Sequence, residues 1–173
     1  PYFEEIEITD NLIANKMRYK SLIYASTPNR GLDLLLKYFT TKLIKIFPNI
    51  ILHVCSDFKI YNLKKFDEEP YYKNMYNLCK KHPNIVYHGT ISSKELSKLM
   101  SNTLILCYPN TYIETNCITI TQAIMSGNYI ITSDKGALPE TTKDIENCFL
   151  FNINENNDIW MDNFTEMIQK IMK

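Results

Sequence analysis

Glu114 is the residue of this chain best placed to do chemistry. It sits in a polar loop between an apolar run, Thr103 to Cys107, and an amphipathic stretch that follows it. An ionised carboxylate only accepts hydrogen bonds, which suits it to the hydroxyls of a sugar. The helix expected next has Ile118, Ile120, Ala123 and Ile124 facing inward and Gly127 as its C-cap. Its N-terminus, near Asn116 and Cys117, would offer unpaired backbone N–H groups and the positive end of the helix dipole to a phosphate. Gln122 lies about two turns along that helix. The other charged candidate is Arg30, at the start of a helix. A cation there opposes the dipole and costs about 0.3 kcal/mol or more unless an anion sits beside it. Singly, each residue has an ordinary explanation: Glu114 a capping acid, Gln122 a surface amide, Arg30 a solvated charge. Across a single crevice, Arg30 and Glu114 point to a bound phosphate and sugar.

Whether they share a crevice depends on the elements that carry them. Ser21 to Ala25, Ile50 to Ser56, Asn84 to His88, Thr103 to Cys107, Tyr129 to Thr132 and Cys148 to Phe151 read as short strands. Between them lie helical patterns: Leu32 through Ile46 ending before Pro48, Tyr72 through Cys79, Leu96 through Met100 after a Ser92 or Ser93 cap, and the central helix. Trp160, Phe164, Met167, Ile168 and Ile171 mark one face of a terminal helix at about residues 155–172. This alternation predicts an α/β fold, a Rossmann-like, doubly wound parallel sheet of about six strands with helices on both faces. In the strand order 3-2-1-4-5-6, the winding reverses between the first and fourth strands, where ligands bind. Their carboxyl ends are Ser26 to Gly31 and Tyr108 to Asn116, the two loops that carry Arg30 and Glu114. Residues 1–20 read as a connector or an edge strand, and residues 21–173 as the Rossmann-like domain.

Composition narrows the function classes. Nineteen basic residues balance nineteen acidic ones, so no excess charge calls for nucleic acid or an anionic membrane. No apolar run is long enough for a transmembrane helix. The five cysteines (Cys55, Cys79, Cys107, Cys117 and Cys148) are irregularly spaced without a C-x-x-C pair, which fits reduced thiols in a cytoplasmic setting. Neither a G-x-G-x-x-G after the first strand nor a G-K-[ST] loop is present, which disfavours dinucleotide and P-loop sites. No Asp-x-Asp pair or His cluster calls for a metal, and His53, His82 and His88 read as structural.

With both loops assigned, the sequence resembles the C-terminal, donor-binding lobe of a family 4 glycosyltransferase of the two-lobed GT-B architecture. Four segments carry the resemblance: STPNRGLDLLL, NIVYHGTISSKELSKLM, YPNTYIETNCITITQAIMSG and SDKGALPE. The third matches the family's Glu-x7-Glu region and the fourth its Gly-Gly-x-Pro-Glu turn, and the resemblance as a whole covers roughly Ser21 to Phe151. The resemblance implies a retaining, metal-independent enzyme with no cofactor beyond its donor, a UDP- or GDP-linked sugar. It places Arg30 on the donor diphosphate and Glu114 on the sugar hydroxyls. The backbone amides of Thr115, Asn116 and Cys117 would approach the sugar and diphosphate, with Ser26 beside them. Gly89, Thr90 and Ile91 would lie along the nucleobase, and Gln122 would take the place of the second Glu, at the ribose.

The chain departs from the family pattern at several points. Gln122 is neutral where the family has a carboxylate, so its bond to a ribose hydroxyl loses about 1 kcal/mol of charge assistance. Ala25 and Ser26 stand where a second basic residue is often found, which leaves Lys135 as another candidate for the diphosphate. The length has no room for the N-terminal acceptor lobe with which such a domain would transfer a hexose, so the chain reads as part of a longer protein or as a free-standing donor lobe. The rival readings are a non-catalytic binding or interaction module of the same fold and another sugar-nucleotide enzyme such as an epimerase.

Overall fold

A computed structural model describes residues 9–153 and 157–173. In chain order the elements are α1 (Asp10–Tyr19), β1 (Leu22–Ala25), α2 (Leu32–Tyr38), α3 (Ile44–Ile46), β2 (Leu52–Cys55), α4 (Lys64–Asp67), α5 (Pro70–Lys81), β3 (Ile85–Tyr87) and α6 (Ser93–Asn102). They continue with β4 (Ile105–Tyr108), α7 (Ile118–Met125), β5 (Tyr129–Ser133), α8 (Leu138–Thr141), β6 (Cys148–Phe151) and α9 (Asn157–Met172). The six strands form one sheet in the order β3-β2-β1-β4-β5-β6, and every pairing is parallel. This is the expected topology, with the reversal between β1 and β4. Both central strands are buried along their whole length, which is why they read as unbroken apolar runs and not as alternating patterns.

Packing closes both sides of the sheet. The terminal helix contributes Trp160, Phe164, Ile168 and Ile171 to the core, and the buried Tyr38 hydroxyl donates to Thr165 Oγ1 at 2.6 Å, tying the first crossover to α9. Fully burying side chains of this size stabilises by about 1.5–3 kcal/mol each relative to exposure. The helical pattern from Leu32 to Ile46 is continuous, but Phe39–Leu43 forms a π turn between α2 and α3. Thr40 and Thr41 donate their hydroxyls to Leu36 O at 2.8 Å and Lys37 O at 2.6 Å, competing with the regular ladder, while Phe39 and Leu43 both stay buried.

Three local expectations need correction. Within residues 1–20, Asp10–Tyr19 is a helix capped by Thr9 and not an edge strand or connector; the calls on residues 1–8 lie outside the described residues. This helix belongs to the body of the domain, because buried Lys16 donates to the carbonyls of Met100 and Ser126 at the ends of α6 and α7. That placement puts a cation where two helix dipoles favour it. Next, β4 starts at Ile105 and not at Thr103, since Thr103 closes α6 with both its amide and hydroxyl on Met100 O. Finally, Ile118, expected to face inward, is 59% exposed, whereas Ile120 and Ala123 are buried as expected. The expected end of the central helix holds: Gly127 has φ +63° just past α7 and donates to Ile124 O.

The two histidines of the β2 and β3 segments meet, with His53 Nδ1 3.0 Å from His88 Nε2 and the rings stacked. Burial, with a smaller contribution from His88, pulls the His53 pKa down to about 4, so the folded state holds this ring neutral. A depressed native value means that the unfolded chain binds the extra proton first as pH falls. Stability is therefore expected to be undiminished above pH ~6.5 and to fall by roughly 1–2 kcal/mol between pH ~6.5 and ~4, after allowance for partial exposure. Urea unfolding of wild type and His53→Phe across this range checks it, with the slope flatter in the variant.

Candidate functional site

The carboxyl ends of β1, β2 and β4 and the first turn of α7 enclose a crevice of about 340 Å³. From β1 come Ser26 and Arg30; from the segment after β3 come Gly89, Thr90 and Ile91. The β4–α7 loop supplies Glu114, Thr115, Asn116 and Cys117, and α7 supplies Gln122. These ten residues singled out from the sequence thus line one cavity. Lys135, the alternative diphosphate partner, does not: it borders a neighbouring crevice of about 390 Å³ with Pro28, Asn29 and Thr111.

Glu114 and Arg30 are directly paired. Arg30 donates from its guanidinium to Glu114 Oε1 at 2.6 Å, with the Glu114 side chain 4% exposed and that of Arg30 21%. The Tyr108 hydroxyl donates to the same oxygen at 2.6 Å. Glu114 is therefore neither a helix cap nor a first-turn acid, since α7 begins at Ile118 with Cys117 as its N-cap. Burial works against the Arg30 cation, but Tyr108 and Glu114 outweigh it and leave its pKa above the ordinary arginine value. The guanidinium also lies 4.9 Å from the ring centroid of Tyr112, within cation–π range. Tyr112 lines the crevice, while Ile113 is 72% exposed beside it.

Two glycines bring these loops together. Gly31 sits at φ +91°, and a Cβ there would come within 1.9 Å of Pro109 O, so only glycine lets the β1 loop press against the β4 loop. Gly136 sits at φ +59°, where a Cβ would meet Glu114 O at 2.2 Å and Glu114 N at 2.6 Å. The next residue, Ala137, donates its amide to Glu114 O at 2.7 Å. The SDKGALPE turn is thus a clamp on the backbone of Glu114. At the α7 end, Thr119 Oγ1 donates to Ala25 O at 2.8 Å, fastening the helix start to the end of β1. Ile118 and Thr119, at the start of α7, line the crevice, and a helix N-terminus suits an anion because its first N–H groups lack intrahelical partners. Burial, above all, raises the Cys117 thiol to about 11, so it stands there as a neutral group and not as a thiolate nucleophile.

Asp57 is the main site residue that the sequence reading missed. It follows β2, is 5% exposed, and accepts from Thr90 N at 3.0 Å, from the Thr90 hydroxyl and from Lys59 N at 2.9 Å. It therefore pins the segment Gly89 to Ile91 against the end of β2. Asp57 carries no motif, but it lies at the carboxyl end of a strand bordering the switch point, the one signal that could have found it. Gln122 is 6% exposed and donates from Nε2 to Ser93 Oγ at 3.2 Å, which joins α7 to the start of α6.

The strand order, the reversal between β1 and β4 and this crevice define a Rossmann-like domain with its ligand site at the switch point. The family and structural matches that follow make it the C-terminal lobe of a GT-B glycosyltransferase. Residues 6–172 match the model of the family described as glycosyl transferases group 1, and the chain belongs to that family. Among solved structures, HepE from Anabaena, in complex with UDP and glucose, superposes with a TM-score of 0.70 at 15% identity over 96% of this chain and 44% of its own. The pneumococcal O-GlcNAc transferase GtfA, in complex with UDP and GlcNAc, gives 0.63 at 20% identity over 88% of this chain and 28% of its own. The C-terminal domain of LpcC, a glycosyl transferase group 1 family protein from Francisella tularensis, gives 0.64 at 17% identity over 95% of this chain and 86% of that domain. The chain thus spans less than half the length of HepE and GtfA, and nearly all of the LpcC domain. Comparison with curated proteins finds no match.

The glycine clamp has a measurable signature. Gly136→Ala is expected to destabilise by about 2–4 kcal/mol, combining left-handed backbone strain with a backbone clash. Gly89→Ala, also at positive φ (+65°) but with its nearest neighbour at 3.5 Å, is expected to lose only about 1–2 kcal/mol. Denaturant midpoints of the two variants measure the difference.

Proposed function

We propose that this chain is the donor lobe of a retaining, metal-independent glycosyltransferase that binds a UDP- or GDP-linked hexose. The observation that carries the reading is the meeting of Arg30 and Glu114 at the N-terminal end of α7, inside one crevice. In this reading Arg30 and the α7 amides stabilise the diphosphate as it leaves, a preorganised electrostatic role that supplies positive charge without a metal ion. Bidentate geometry suits a guanidinium to phosphate oxygens. Glu114 orients the sugar through its hydroxyls, and the amides of Thr115, Asn116 and Cys117 line its path, with Ser26 opposite. Gly89, Thr90 and Ile91, held by Asp57, form the nucleobase wall, and Gln122 accepts from the ribose. Retention of stereochemistry rests on the resemblance of the Glu114 segment to family 4 enzymes. UDP as the nucleotide is supported by its presence in the HepE and GtfA complexes.

The acceptor and the remaining catalytic groups would come from an N-terminal lobe closing over the crevice and excluding water. The rim is apolar enough for such a partner: Tyr61, Tyr112, Ile113 and Ile118 are each more than half exposed. This favours a two-lobed enzyme over a non-catalytic module. We further place the protein in the cytoplasm, on the strength of its free thiols, four of them buried. Among the described residues no helix is long and apolar enough to cross a membrane.

Calorimetric titration with UDP, GDP and their hexose conjugates tests the reading. One nucleotide is expected to bind, Arg30→Ala to weaken it about tenfold or more, and Glu114→Ala to remove the extra affinity of the sugar conjugate. No binding to the folded wild-type chain at millimolar ligand counts against a donor site within this domain.

A further inference from the structure

The crevice holds a buried carboxylate with two partners of different kinds, and only one of them can be given up. The Arg30 side chain is 21% exposed, lines the cavity and belongs to a loop at its mouth. Tyr108 is fully buried at the end of β4, its ring packed 6.0 Å from Tyr24 and its hydroxyl 3.5 Å from Ser26 Oγ. Burial first, then its neighbours Cys117 and Glu114, raise the Tyr108 pKa well above its ordinary value, so this hydroxyl is always a donor. Both partners converge on Oε1 of Glu114. The acceptor capacity of Oε2 is left to a ligand.

Arg30 is engaged by the carboxylate that the proposed function assigns to the sugar. A diphosphate that draws the guanidinium fully towards itself takes the cation from a carboxylate that is almost wholly buried. Without another partner that loss would oppose donor binding, because an uncompensated buried charge is costly. We infer that Tyr108 is a positioning residue of the donor site: its hydroxyl keeps the Glu114 carboxylate oriented and hydrogen-bonded while Arg30 exchanges that carboxylate for the donor diphosphate. This rests on the donor-lobe reading and adds a residue and an order of exchange to it. Glu114 and the nucleotide compete for Arg30, and Tyr108 sets the terms of that competition. When product leaves, the ion pair closes again and neutralises the site.

The exchange predicts effects of opposite sign at two residues in direct contact. Tyr108→Phe keeps the ring and removes only the hydroxyl. Glu114 then depends on Arg30 alone, and the affinity for UDP is expected to fall about tenfold. Glu114→Gln removes the competing charge, and the affinity for UDP is expected to rise about threefold to tenfold while the additional affinity of UDP-glucose is lost. In the double variant no carboxylate remains to be held, so the penalty of Tyr108→Phe should vanish.

Calorimetric titration of the four proteins with UDP and UDP-glucose, with GDP and GDP-mannose run beside them, reads all of these effects. Thermal unfolding first confirms that each variant is folded. A structural role for Tyr108 alone would lower affinity equally with Gln or Glu at position 114, and that result overturns the inference. So does a Tyr108→Phe affinity within about twofold of wild type. Absence of any nucleotide binding by the wild-type chain refutes the donor-lobe reading itself and the inference with it, and is distinct from binding that Tyr108→Phe leaves unchanged.

Discussion

A carboxylate taken almost wholly out of water must be compensated, and at Glu114 this requirement organises the whole crevice. Its cation comes from the loop after β1 and its neutral donor from the end of β4. Its backbone is gripped by the turn after β5 through Gly136 and Ala137. Parts of the chain from three crossovers therefore converge on a single residue. No local interaction could bring them together; the parallel strand order does so, by placing β1, β4 and β5 side by side.

The topology explains why the close approaches fall where they do. Strands β1 and β4 run parallel in the centre of the sheet, with Leu22 opposite Ile105 and Ile23 opposite Leu106, so their carboxyl ends emerge at the same level. Helices departing from them go to opposite faces of the sheet in this winding, which leaves a gap between the two loops. Gly31 narrows that gap by letting one loop touch the backbone of the other at Pro109. The arrangement is stiff where position matters, with buried strands beneath, and apolar and exposed where a partner lobe would approach. Lys16 extends the same logic to the opposite end of the domain, closing the final carbonyls of α6 and α7 with one cation.

Much of this was readable from residue order. Apolar runs separated by helical periodicity define a parallel α/β sheet, because strands buried on both faces need side chains that are apolar throughout and crossovers long enough for a helix. The turn residues and the Ser92–Glu95 capping box mark where the elements begin and end, and such local signals act within a few residues. Ten site residues line one cavity, Arg30, Glu114, Asn116, Cys117 and Gln122 chosen on this basis and the other five through the family resemblance, since the strand order dictates which loops are neighbours. The elements least legible were those held by distant contacts. The helix at Asp10–Tyr19 is secured by Lys16 reaching the ends of α6 and α7, partners far along the chain that no local pattern announces.

The chemistry of the crevice divides along the same line. Residue types and spacing specify a carboxylate, a guanidinium and a helix N-terminus at the switch point, because these follow from local pattern plus a topology with few alternatives. That Arg30 and Glu114 touch, that Tyr108 shares their oxygen, and that Asp57 carries the Gly89–Thr90 turn are outcomes of packing. Each depends on side-chain direction and on close backbone approach between segments separated by tens of residues. Hydrogen bonds of this kind form only where the folded chain removes water and leaves one geometry, so the partners are chosen by the assembled fold and not by any stretch of sequence.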